Sequence, residues 1–134
     1  MPRPPTTTPR LRVLLAALGI AAASGGAPAA AQDLRLQGLF CNAEDQLDRA
    51  LARMGRGLDP HLAAEIENRD AVACTYVDRL HYLVRHPVRV GAVTYEASLT
   101  GVVVGGAVRP VAPPVRVFFA TPEPIAAAAI ERRT

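Results

Sequence analysis

The chain has 134 residues, with 15 basic and 12 acidic side chains, and half of it is hydrophobic although aromatic residues are scarce. Every basic residue is an arginine, and three of these arginines lie within the first twelve positions. Without that leader, arginines and acidic residues balance at twelve each, so the net charge gives no support to nucleic acid as a partner. Residues 32–134 suffice for one small domain.

The first 31 residues have the three parts of a secretory signal peptide. Arginines form a positive start without an acidic residue, an apolar run follows at 13–23, and Ala29 and Ala31 make an A-x-A pattern before Gln32. The run is shorter than the roughly 20 apolar residues of a membrane span. We therefore predict cleavage and export, to the periplasm or beyond, with no membrane span after cleavage.

Two kinds of membrane anchor are alternatives to cleavage and export. One is a leader that stays uncut and holds the protein in the membrane. The other is a lipid on Cys41, which we disfavour because Leu39 and Phe40 precede it where lipoprotein processing needs a small residue.

Cys41 and Cys74 are the two cysteines of the chain. Thiols of an exported protein oxidise, and two cysteines allow one connectivity, so we predict a disulfide that ties the helical region to the first strand. A redox role is disfavoured because the pair lacks the Cys-x-x-Cys spacing.

The first of two helical patterns begins just after Cys41. Asn42 is the predicted cap, acidic residues follow in the first turn, where the helix dipole favours them, and Gly55 and Gly57 end the helix. Asp45 and Arg49 are spaced to pair on its outer side. The apolar face repeats at helical spacing over Ala43, Leu47, Ala50, Leu51 and Met54.

The second helical pattern starts at Asp59-Pro60, a cap followed by a proline in the first position. Leu62, Ala63 and Ile66 form its predicted inner face. Glu65 and Glu67 are two residues apart and point in different directions on a helix, so we interpret both as surface acids rather than an acid–base pair.

From Val72 the apolar period changes from helical to two, which predicts strands. Asp78 interrupts the apolar set and indicates a bulge. A helix through Val77, Leu80, His81 and Val84 is the competing interpretation. His86-Pro87 is predicted to turn the chain.

The remaining strands are separated by glycines and prolines. The clearest alternation runs from Val93 to Thr100, and Gly105-Gly106 predicts a hairpin turn. Pro110 indicates an edge strand. Pro113-Pro114 is predicted to break that strand before a last one at 115–120.

These elements predict an α+β fold of two short helices followed by a small, strongly bent antiparallel sheet of the kind seen in SH3-like barrels, with one disulfide. We divide the chain into a signal peptide at 1–31, a single α+β domain at 32–124 and a flexible tail at 125–134.

Several short motifs resemble those of a group of small exported proteins from proteobacteria. They are Gly38 to Cys41 with Glu44 to Gln46, Glu67-Asn68 before Ala73-Cys74, Val102 to Gly106, Pro110 to Pro114, and Phe118-Phe119. The resemblance covers residues 36–124. It implies a signal peptide and a cysteine pair, but no established activity, so it supplies no catalytic residue.

No catalytic motif is found in the sequence. Cys74, Asp78 and His81 are the residue types of a nucleophile set, but on a strand Cys74 and His81 point to opposite faces and lie roughly 23 Å apart. His61, His81 and His86 lack the tight spacing of a zinc site. We predict no cofactor and no metal.

Arg79, Arg85 and Arg89 form a predicted cationic strip together with His81. The strip suits an anionic partner, although arginines that simply keep a sheet surface solvated are the commoner case.

We therefore predict a non-catalytic module that binds an envelope protein or peptide through its sheet. Binding of an anionic envelope polymer through the arginine strip is the alternative, and a small hydrolase or redox protein is the third hypothesis. The sequence identifies neither the partner nor the oligomeric state.

Overall fold

The structure, a computed structural model, describes residues 32–130. The predicted signal peptide at 1–31 lies outside the described residues. The elements, in chain order, are β1 (Leu34–Cys41), α1 (Glu44–Gly55), α2 (Pro60–Ile66), β2 (Cys74–Arg89), β3 (Tyr95–Val104), β4 (Ala107–Ala120) and a short 3₁₀ helix (Ala127–Ala129). Neither of the two α-helices in this part of the chain is long and apolar enough to cross a membrane.

The four strands form a closed antiparallel barrel in the order β1-β2-β3-β4, with β1 also pairing with β4. The prediction of a small bent antiparallel sheet with two helices and one disulfide is confirmed at this level. The predicted order of elements is wrong in one respect, because a strand precedes the helices. The two helices form the connection between β1 and β2.

β1 occupies a segment in which we predicted no strand. Its first half alternates, with Arg35 exposed between Leu34 and Leu36, but Gly38 to Cys41 are all buried because both faces are covered there. Phe40 points into the barrel, whereas Leu39 and Cys41 face the helices, and all three are almost fully buried.

Two hydrophobic cores result from this arrangement. The barrel core contains Leu36, Phe40, Val77, Val84, Tyr95, Ala97, Val117 and Phe119. The helix-side core contains Leu39, Cys41, Leu47, Ala50, Ala63, Ala64, Cys74 and Phe118. Ile125 and Ile130, beyond β4, pack against the barrel core.

The first helix is capped differently from the prediction. Ala43 is its N-cap and makes no side-chain bond, whereas the Asn42 amide donates to the Val72 carbonyl at 3.2 Å. Asn42 therefore ties the start of the helix to the segment before β2 instead of capping α1.

The second helix starts as predicted, because the Asp59 carboxylate accepts from the backbone N–H groups of His61 and Leu62. Its predicted inner face is wrong in part. Ala63 and Ala64 are buried, but Leu62 and Ile66 are 50% and 44% exposed. A helix of seven residues packs closely through its small side chains, which leaves the larger ones outside.

β2 is one strand of 16 residues, so the helical alternative for this segment is wrong. The bulge predicted at Asp78 is confirmed: Leu36 pairs with Tyr82 and Gly38 with Val77, so Gln37 alone faces four residues of β2. The predicted turn at His86-Pro87 is wrong, because the strand continues through a second irregularity.

The Gly105-Gly106 turn is confirmed, with φ of 58° and 84°, as a type I′ hairpin requires. Pro113-Pro114 does not break β4, which continues because the four residues 111–114 bulge out opposite Thr100. Pro110 lies where β4 pairs only with β3, so the predicted edge is confirmed.

The disulfide between Cys41 and Cys74 is confirmed, with an S–S distance of 2.01 Å. The two residues are register partners on β1 and β2. The bond therefore joins the two strands where the chain leaves the barrel for the helices and returns from them, rather than a helix to a strand. Both cysteines are 2% exposed.

Removing this bond is expected to destabilise the fold strongly. The bond closes a loop with a sequence separation of 33, and chain entropy assigns such a loop roughly 3–4 kcal/mol. Urea denaturation should show that loss for Cys41→Ala/Cys74→Ala and for wild type in reductant. Reductant should not affect the double variant further; an unchanged free energy of unfolding in both cases would contradict the structural role of the bond.

Gly38 is a second position where the fold tolerates little change. Its φ is +143°, and a Cβ there would overlap the carbonyl oxygen of Ala120. We expect Gly38→Ala to lower the free energy of unfolding by more than about 2 kcal/mol. Gly55→Ala is the control, since nothing lies within 4 Å of its added Cβ, and thermal denaturation of both should separate them clearly.

Candidate functional site at the barrel mouth

β1 closes the barrel against only the last part of β4. These strands pair over three residues each, with Leu39 to Cys41 opposite Phe118 to Ala120. After Cys41 the chain turns away into α1. The rest of β4, residues 107–117, therefore pairs only with β3.

The register shows that the uncovered part of β4 turns its inner face to solvent. Val117 and Phe119 point into the barrel and are buried, and Val115 has the same parity, opposite Leu99. Yet Val115 is 46% exposed, because β1 ends at Cys41 and no strand lies across from it.

A cavity of about 170 Å³ opens beside Val115 and Val117. It is also lined by Val72, which is 71% exposed and lies two residues before β2. A cavity of ~150 Å³ in another protein holds one benzene molecule, so this one has room for a comparable apolar side chain. We call the surface formed by Val72, Leu99 and Val115, with this cavity, the mouth.

The mouth is almost free of charge. Residues 101–115 contain one charged side chain, that of Arg109. Pro110, Pro113 and Pro114 lack backbone N–H groups, so this edge offers few donors for an added strand. The mouth can therefore hold a partner chiefly by apolar side-chain contact, at a small desolvation cost.

Tyr82 lies at the inner end of the cavity, with its ring 4.7 Å from that of Phe40. Burial raises the pKa of the Tyr82 phenol, although a hydrogen bond with Thr75 opposes the shift. The phenol is therefore protonated at neutral pH and can donate a hydrogen bond.

The three arginines of the predicted strip do not form one cluster. Arg85 is paired with Asp33 at 2.9 Å, and Arg89 donates to the Ala92 carbonyl and lies over the Tyr95 ring. Arg79 sits on the β2 bulge. Ten residues separate Arg79 from Arg89, which corresponds to roughly 30 Å along a strand.

The nucleophile set considered from the sequence is not assembled. The Cys74 sulfur is in the disulfide, and Asp78 contacts His61 on α2, with a distance of 2.9 Å between Oδ2 and Nε2. Across residues 32–130 no three His, Cys, Asp or Glu side chains come together as metal ligands.

Glu67 is the residue that the sequence interpretation placed wrongly. We predicted a surface acid, but its side chain is 5% exposed. It accepts from Arg49 at 3.1 and 2.8 Å and also from Arg53. The predicted Asp45–Arg49 pair is confirmed at 3.1 Å. Two arginines at i,i+4 repel each other, and that repulsion was the available signal for a missing acidic partner.

The hydrogen bond from Arg49 lowers the pKa of Glu67, burial opposes the shift, and the Arg53 bond adds to it. Glu67 therefore joins the end of α2 to α1 as a carboxylate. The cleft around this contact is polar and belongs to the helical layer, whereas the mouth is apolar and belongs to the barrel.

No protein-family model matches the chain, and no curated protein or solved structure is detectably similar to it.

Replacing Glu67 tests this contact through its pH dependence. Folding favours the ionised carboxylate, so its contribution is complete above the usual pKa near 4.5 and is lost as pH falls through the lower folded-state value. We expect Glu67→Gln to lower the free energy of unfolding by about 1–3 kcal/mol at neutral pH. The difference from wild type should shrink below pH 4.5.

The exposed neighbour Glu65 provides the matched control. Denaturation of Glu65→Gln from pH 3 to 7 should follow the wild type throughout. A deficit in Glu67→Gln that stays constant down to the lowest pH would mean that the carboxylate charge is not what stabilises the helical layer.

Proposed function

We propose that the protein is an exported, non-catalytic binding module whose mouth holds an extended apolar segment of an envelope protein. The observation that carries this proposal is the exposure of Val115, on the inner face of β4, and of Val72, both of which line the same cavity. An apolar sheet face left uncovered beside a cavity is a feature of interaction surfaces.

The chemistry of the partner follows from that of the mouth. The surface is valine-rich and carries no acidic group, so a charged segment would lose hydration there without gaining a partner. The cavity suits one aliphatic or aromatic side chain as an anchor, and such anchors dominate binding energy. Beside the proline-bearing edge, the segment contributes side chains more than backbone hydrogen bonds.

Export is part of this proposal. The A-x-A pattern and apolar run of the leader support it, and so does the disulfide, which suits an oxidising compartment. Kinship with SH3-like domains and with the proteobacterial group of exported proteins stays a prediction that the mouth does not require.

The other two functions stay predictions with less support. For an anionic polymer, Arg85 and Arg89 are engaged within the protein by Asp33 and Tyr95, which leaves Arg79 as the arginine of the strip without a partner in residues 32–130. For a hydrolase or redox protein, no constellation within the described residues favours the chemistry.

A charged pair in the mouth tests the proposed function. We expect Val72→Glu/Val115→Glu to abolish binding of nine-residue peptides selected from a random library on the wild-type protein. The selected peptides should be apolar and should shift the backbone amide NMR signals of Val72 and Val115. The measurement is isothermal titration at physiological salt.

Val93→Glu is the matched control, because Val93 is 63% exposed and lies outside the mouth. It should bind the peptides as wild type does. Selected peptides that are mainly acidic, or that bind the mouth variant and wild type equally, would rule out the mouth as the docking surface.

A further inference from the structure

A second cavity lies where β2 bulges toward α2, and it shares Thr75 and Tyr82 with the mouth cavity. It measures about 410 Å³ and is lined by His61, Tyr76, Asp78, Arg79, Leu80 and Tyr82, among others. We call it the bulge groove. Residues Tyr76, Asp78 and Arg79 take no part in the mouth.

The groove is held in shape by bonds on both sides of it. The Gln37 amide donates to the carbonyls of Asp78 and Leu80 at 3.0 and 3.1 Å, which fixes the bulge on β1. On the other side, Asp78 Oδ2 lies 2.9 Å from His61 Nε2. Bulges often re-aim side chains at binding sites.

Aromatic rings are concentrated in this groove. The chain has three tyrosines, and two of them, Tyr76 and Tyr82, line it. The rings of His61 and Tyr76 lie edge to face at 5.0 Å. In a chain so poor in aromatic side chains, the grouping provides an amphipathic wall with polar atoms at its margin.

The charged groups at the rim offer both kinds of hydrogen bond. Asp78 is about half exposed and uses Oδ2 for His61, which leaves Oδ1 to accept. Arg79 is exposed and has no hydrogen-bond or ion-pair partner within residues 32–130, so its guanidinium can donate. The negative charge of Asp78 and the positive charge of Arg79 balance each other at the rim.

We propose that the bulge groove binds a neutral saccharide within an oligosaccharide chain. A sugar ring presents an apolar C–H face to an aromatic wall. Its adjacent hydroxyls donate to a carboxylate such as Asp78 and accept from a guanidinium such as Arg79.

Other ligand classes fit the groove less well. An anion would face the Asp78 carboxylate, and a metal ion would find one imidazole and one carboxylate, fewer ligands than a site usually has. A wholly apolar ligand would strip water from Asp78 and Arg79 without replacing their hydrogen bonds.

Titration of the folded, oxidised protein with maltohexaose, cellohexaose and chitohexaose tests this proposal by amide NMR. We expect at least one to shift the signals of Tyr76, Asp78 and Arg79 saturably. Asp78→Asn and Arg79→Gln should each weaken that binding about tenfold, the equivalent of one hydrogen bond to a charged group.

Arg109→Gln is the matched control, since Arg109 is an exposed arginine on the far hairpin, and it should bind as wild type does. Because Arg79 is exposed and makes no bond within the described chain, Arg79→Gln keeps the fold, which its melting temperature verifies. No saturable shift with any of the three sugars would overturn the proposal. So would shifts of the same residues by inorganic phosphate alone.

Saccharide binding in the bulge groove should not depend on the mouth. Val72→Glu/Val115→Glu should keep saccharide binding while losing the apolar peptides, and Arg79→Gln should do the opposite. Loss of both activities in either variant would show that the two cavities are not separate sites and would overturn the assignment of the sugar to the bulge groove.

Discussion

The bond between Cys41 and Cys74 sets the geometry of the whole domain. It holds the end of β1 and the start of β2 together, with their Cα atoms 4.0 Å apart, where the chain leaves the barrel for its two helices. The helices themselves bury few large side chains, and α2 contributes only Ala63 and Ala64 to the core. The free energy gained from apolar burial grows with the buried area, and α2 buries little of it. The helix therefore depends heavily on the disulfide at the ends of β1 and β2 and on the Glu67 contact to stay packed against the barrel.

The same departure of the chain into the helices leaves part of β4 uncovered. Since β1 has to end at Cys41 to reach α1, it covers only the last residues of β4. The hairpin of β3 and β4 runs on past it, and Val115 on its inner face stays half exposed. The point at which the chain leaves the barrel, which the disulfide fixes, is therefore also the point beyond which an apolar surface stays exposed.

The sequence predicted the features that depend on neighbouring residues. Asp59-Pro60, Gly105-Gly106 and the bulge at Asp78 each follow from local backbone chemistry. The sequence interpretation failed where contacts between residues far apart in the chain determine the structure. The second half of β1 carries no alternation because two cores cover its faces, and Glu67 is buried by arginines 14 and 18 positions away. Nor does a valine pattern show that the covering strand ends early, so the mouth could be found only from the register.

Several charges of the domain are paired within it. Arg49 and Arg53 share the buried Glu67, Arg85 has Asp33, and Arg116 lies 3.8 Å from Glu96. Exposed pairs such as the last two stabilise a fold little, but they weaken the field that would steer a charged polymer. The two proposed binding surfaces are uncharged or internally balanced: an apolar mouth, and a groove where one carboxylate and one guanidinium flank aromatic rings. Recognition by such a surface depends on shape and on hydrogen bonds, and it should change little with salt, whereas binding through an arginine strip would weaken steeply.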